Sequence, residues 1–100
     1  MEITEKLESG SAILTLAGKI DEQGADKLKE KFTSLKKAKP GKILINFSNV
    51  TYMGSSGIGK LLLLYKDVSL YGGEITITGL SSELRTMFVN LKLDTVFTIS

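Results

Sequence analysis

At 100 residues, with 42% hydrophobic and 24% charged side chains, the chain is one soluble domain with a single modest core and no room for a deep enclosed active site. It contains no cysteine and no histidine, which excludes disulfides, thiolate metal sites and the commonest general base. A formal charge of +2, without a basic stripe interleaved with aromatics, argues against nucleic acid as a partner.

The start, Met-Glu-Ile-Thr-Glu-Lys, lacks the basic residues and apolar run of a signal peptide, and Leu61 to Leu64 is too short an apolar cluster to span a bilayer. A cytoplasmic protein without membrane insertion is expected, a monomer by default. Ile3–Leu7 and Ala12–Ala17 read as two strands of a hairpin, with the turn at Glu8-Ser9-Gly10-Ser11. Ala25, Leu28, Phe32 and Leu35 recur at helical spacing and predict a first helix, which Lys39-Pro40-Gly41 stops. The lysines at 27, 29, 31, 36, 37, 39 and 42 alternate with Asp26 and Glu30 and read as a solvated face, the alternative being a surface for an acidic or lipid-headgroup partner.

Lys42–Phe47 is a near-continuous apolar run of the kind found in a central strand covered on both faces, followed by a loop over 48–54. A second helix opens at Ser55-Ser56-Gly57 and runs to about Leu70. Its apolar stripe reads as Ile58, Leu61, Leu62, Tyr65 and Val68. Glu74–Gly79 is a further strand, and a third helix carries Leu84, Met87, Phe88 and Leu91 on one stripe, capped by Ser81 or Ser82. Thr95–Ile99 predicts an edge strand. The order β-β-α-β-α-β-α-β over one domain, residues 1–100, implies an α/β fold whose mixed sheet of four to five strands packs against helices.

The start of the second helix carries most of the functional signal. As a capping residue, Ser55 or Ser56 would accept a hydrogen bond from a first-turn amide. Gly57 and Gly59 each cost about 1 kcal/mol relative to alanine in a helix, which points to a close neighbour: a strand, a ligand or a partner protein. Leu63 projects away from the apolar stripe, on the side of Ser56, Gly59, Lys60 and Asp67, as part of a protein-binding face. Asp21 reads first as the cap of the first helix.

The run Asn46-Phe-Ser-Asn-Val-Thr-Tyr-Met-Gly-Ser-Ser-Gly-Ile-Gly-Lys-Leu-Leu-Leu-Leu-Tyr65 resembles the signature of the STAS family of anti-sigma factor antagonists. Gly18-Lys19-Ile20-Asp21, the first helix and Gly72-Gly73 also match that family's elements and spacing. The resemblance implies the STAS fold and transcription regulation in a bacterial cell. It also implies a serine switch at Ser55, phosphorylated by a partner that is both anti-sigma factor and serine protein kinase and restored by a phosphatase. Partner contacts would come from Asp21, Gly54, Ser55, Ser56, Gly57, Gly59, Lys60 and Leu63. The family's acidic residue before the first serine is Gly54 here, and Lys60 stands where the family is more often small or apolar.

With these two changes, Gly54 to Leu61 satisfies a phosphate-binding loop pattern except at Leu61, where a hydroxyl side chain is required for Mg²⁺. Weak nucleotide or anion binding is therefore an alternative, as is an adaptor role in a transport or signalling assembly. Nothing else forms a catalytic constellation, so no enzyme, cofactor or metal is expected.

Overall fold

The computed structural model describes residues 1–100. The hairpin strands are β1 (Glu2–Glu8) and β2 (Ser11–Ile20), joined at Ser9-Gly10 and paired antiparallel. Helix α1 (Glu22–Ala38) leads to β3 (Lys42–Met53), α2 (Ser55–Leu70) to β4 (Glu74–Thr78), and α3 (Ser82–Asn90), with a 3-10 turn at Leu93–Thr95, to β5 (Thr98–Ile99). The sheet order is β1-β2-β3-β4-β5, with every pair after the hairpin parallel.

Alternation along the strands decides which face is covered. Leu14 and Leu16 on β2, Ile43, Ile45 and Phe47 on β3, and Ile75 and Ile77 on β4 are buried in one cluster with Leu28, Phe32 and Leu35 of α1, Leu61, Leu64 and Val68 of α2, and Leu84 and Phe88 of α3. The Phe88 ring meets Phe47 edge-on at 5.9 Å, which locks α3 onto the sheet. On the opposite face Ile13, Thr15, Leu44, Asn46, Thr76 and Thr78 are only partly buried. The expected cover on both faces of β3 is thus corrected: the helices lie on one side, and the apolar look of Ile43-Leu44-Ile45 comes from Leu44 on the other.

The predicted loop over 48–54 is instead strand as far as Met53. Its residues escape simple alternation because β3 carries two bulges. Between the Thr15–Asn46 and Ala17–Asn49 pairs β3 advances three residues to β2's two, and between Gly18–Val50 and Lys19–Tyr52 it advances two to one. Gly18, at φ +102°, takes the left-handed conformation at this second irregularity. Burial therefore passes from Phe47 to Val50 and then Met53, at a spacing of three. Further along, the expected strand over 95–99 shrinks to Thr98–Ile99, because the 3-10 turn uses residues 93–95 to bury Leu93.

Not all the lysines of α1 are merely solvated. Lys27 donates to the Met1 carbonyl at 3.0 Å, Lys31 binds Glu5 at 2.7 Å and Lys36 binds Asp67 at 2.9 Å, tying α1 to β1 and to α2. The helix ends with Lys39 itself in the left-handed conformation, its amide donating to the Leu35 carbonyl.

Candidate functional site

Strands β2 and β3 extend together beyond the end of β4, whose last partner on β3 is Asn46. At the tip of this ribbon Lys19 pairs with Tyr52 and Ile20 with Met53, and the Gly54 amide donates to the Ile20 carbonyl at 2.9 Å. The α2 start is thereby fixed beside Asp21. Asp21 caps α1: its Oδ1 accepts from the Gly24 amide at 2.9 Å. Both roles proposed for it from the sequence are compatible with this position, because its side chain remains exposed.

Neither serine caps α2. The N-cap is Gly54, with extended backbone and no side-chain hydrogen bond, so Ser55 and Ser56 are the first two helical residues. The Gly54 carbonyl accepts from the Gly57 and Ile58 amides, whereas the amides of Ser55 and Ser56 have no protein partner. No acidic residue occupies the first turn. An exposed hydroxyl on Ser55 is therefore held at the positive end of a sixteen-residue helix, beside unpaired donors.

The two glycines separate into different roles. Gly57 is buried, and a β-carbon there would come within 2.5 Å of Ile20 Cγ2 and 3.3 Å of Met53 Cε. The close neighbour is the ribbon tip, so Gly57, expected among the partner contacts, is instead buried in packing. Gly59 is exposed, with nothing within 4 Å of its would-be β-carbon. Lys60 is partly buried and Leu63 is 53% exposed, both on the outward side of α2 with Ser56 and Gly59, as the spacing predicted. The inward stripe is Gly57, Leu61, Leu64 and Val68; Leu62 and Tyr65, expected there, are more exposed, with the Tyr65 ring against Phe97.

Two residues missed in the sequence join this surface. Tyr52 is exposed and its hydroxyl lies over Gly54, and Lys19 is its exposed neighbour on β2. The bulged register that brings them out left no simple period to find them by.

The phosphate-loop pattern of 54–61 is not matched by a phosphate-wrapping loop. Residues 55–61 are already helical, which commits the Gly59 and Lys60 amides to the helix instead of to an enclosing nest. No group of three or more acidic residues is placed to hold a metal ion.

A mixed five-stranded sheet with helices on one face and an exposed serine at the start of the second helix define a small α/β domain. The STAS domain family model matches residues 2–100, and the chain belongs to that family. The fold is shared with a Thermotoga maritima protein assigned as an anti-sigma factor antagonist (TM-score 0.89, 19% identity, 97% of this chain and 84% of that one). It is shared with the Bacillus cell fate determinant SpoIIAA in its phosphorylated form (TM-score 0.78, 18% identity, 99% and 91%). A sulfate transporter family protein from Wolinella succinogenes is also similar (TM-score 0.76, 16% identity, 91% and 75%). No helix is long and apolar enough to cross a membrane.

Proposed function

We propose that the protein is an anti-sigma factor antagonist that binds an anti-sigma factor with serine kinase activity, and that phosphorylation of Ser55 switches this binding off. It acts by binding and not by catalysis. The observation that carries this reading is the uncapped start of α2, with Ser55 exposed next to two unpaired amides. A phosphoserine brings roughly −1.5 to −2 charges at pH 7, which the helix start accommodates without refolding. A partner packed on Ser55, Ser56, Gly59 and Leu63 would meet that charge directly. Every 1.4 kcal/mol of added repulsion or desolvation cost weakens such a complex about tenfold.

The test is a pull-down with a co-encoded kinase-like protein. Ser55→Ala should bind and Ser55→Asp should not; equal binding by the two would sink the switch. Intact mass measurement on protein from its native cell reads the phosphate directly.

Gly54 favours one second reading, since an adaptor in a transport or signalling assembly needs no acidic residue for kinase recognition. Neighbouring transporter genes, with no sigma or anti-sigma genes nearby, would support the adaptor.

A further inference from the structure

We infer that the trough between α1 and α2 is a docking track for an acidic amphipathic helix of a protein partner. The inference rests on the reading that the outward side of α2 binds protein, and it names the chemistry of what binds. Helices α1 and α2 run side by side in the same direction, so Lys29 lies across from Lys60 and Leu63, Lys36 from Asp67, and Lys39 from Leu70. Buried Phe32 and Leu64 form an apolar floor.

Two apolar side chains stand out of this trough. Leu63 is 53% exposed and Leu70 is 81% exposed. They are seven residues apart, two helical turns, and so stand on one line about 10.5 Å apart. That is the repeat with which an apolar stripe of another helix meets them. Leucines scattered singly on a surface carry no such message, but a pair in heptad register, one beside each of two hollows that meet at the Lys36–Asp67 ion pair, does.

Charge selects the occupant. The trough is lined by Lys29, Lys36, Lys39, Lys60 and Lys66 against one acid, Asp67, in a chain whose whole net charge is +2. The remaining surface is therefore slightly acidic, and the positive charge is concentrated here. Asp26 and Glu30 lie on the far flank of α1, beyond Lys29 and Thr33. Asp67 is already held by Lys36, which leaves the other four lysines for a partner. A concave track between two ridges takes a rod; a flat bilayer would rest on the ridges and leave the apolar floor unfilled.

The experiment titrates the intact protein with a stapled helical peptide bearing leucines in heptad register and glutamates on both flanks, read by fluorescence anisotropy and amide NMR shifts. Micromolar binding is expected, with shifts at Leu63, Leu70 and Lys60. Leu63→Ser with Leu70→Ser, and separately Lys60→Glu with Lys66→Glu, should each weaken binding by about tenfold or more. Asp67→Asn should strengthen it by removing the one competing acid. Leu63, Leu70 and Lys66 are exposed and Lys60 and Asp67 partly buried, and a cooperative thermal transition checks that each variant folds.

Three results would overturn the inference: no binding at millimolar peptide, equal binding of a peptide with serines for its leucines, or binding only of phosphatidylglycerol vesicles. The Ser55→Asp protein separates this reading from the switch. If it still binds a kinase partner while peptide binding holds, the switch falls and the track stands; if peptide binding is absent while the switch works, the track falls alone.

Discussion

The Tyr52 hydroxyl stands 3.1 Å from the point that a β-carbon at residue 54 would occupy, and two of its ring carbons stand 3.5 and 3.6 Å away. The phenol fills the space of the acidic side chain that the STAS resemblance leads one to expect before the serine. Gly54 and Tyr52 are in this sense one change. The N-cap backbone at Gly54 is extended, a conformation open to any residue. Gly54→Asp should therefore fold, push the exposed Tyr52 ring aside and supply the missing capping oxygen. A gain of a few tenths of a kcal/mol is expected in urea unfolding. If Ser55 is a kinase substrate, the same variant should be phosphorylated faster in a radiolabel assay.

Gly57 and Gly59 should respond to alanine in opposite directions. At Gly57 the added methyl meets the buried, β-branched Ile20, which has nowhere to go, and a loss of about 1–3 kcal/mol is expected. At Gly59 the methyl enters open space on a helix, and a gain of up to about 1 kcal/mol is expected. Paired denaturation curves check both, and a Gly59→Ala protein that is less stable would contradict the assignment.

Charge at Ser55 should stabilise the fold even while it disrupts a complex. Ser55→Asp places an anion at a helix start that has no acidic residue and two unpaired amides, worth about 0.3–1 kcal/mol at low salt. The gain should shrink as salt is added, as thermal unfolding at two ionic strengths would show.

Tyr71 makes a small part of the fold's stability depend on alkaline pH. Its hydroxyl donates to the Pro40 carbonyl at 2.8 Å, and burial pushes the phenol above its ordinary value near 10. The protonated form is the one the fold favours, so this contribution is complete below 10 and is lost as pH rises through the folded value. Tyr71→Phe should remove that part of the pH dependence, at a cost of about 0.5–1.5 kcal/mol at neutral pH. Stability curves of the two proteins between neutral and alkaline pH should converge.

Much of the fold was legible because its elements obey simple periods: the hairpin, the α1 stripe of Ala25, Leu28, Phe32 and Leu35, and the limits of α2 all stand where spacing puts them. The site was harder to read, for two physical reasons. Four consecutive leucines at 61–64 leave the phase of α2 open, and the residue that sets it is Gly57, which lies on the buried stripe yet has no side chain to be counted apolar. Along β3 the bulges shift the alternation twice, so Val50 and Met53 turn inward and Tyr52 outward without any repeat of two. The serine loop itself was found from its helix-start chemistry and its likeness to a known signature. Its cap is Gly54 where a serine is expected, because glycine leaves no side-chain signal at an N-cap.

The extra length of β2 and β3 past the end of β4 separates two demands on the same chain. Pairing with β4 ends at Asn46, so residues 49–53 of β3 have β2 as their sole strand partner, and α2 seals one face of the ribbon through Ile20, Val50 and Met53. Exposed positions on this cantilever, Lys19 and Tyr52 among them, can be exchanged without disturbing a residue in the main body of the sheet. The tip can therefore change in evolution while the folding core stays put, and a reshaped tip could be transplanted between relatives as a unit.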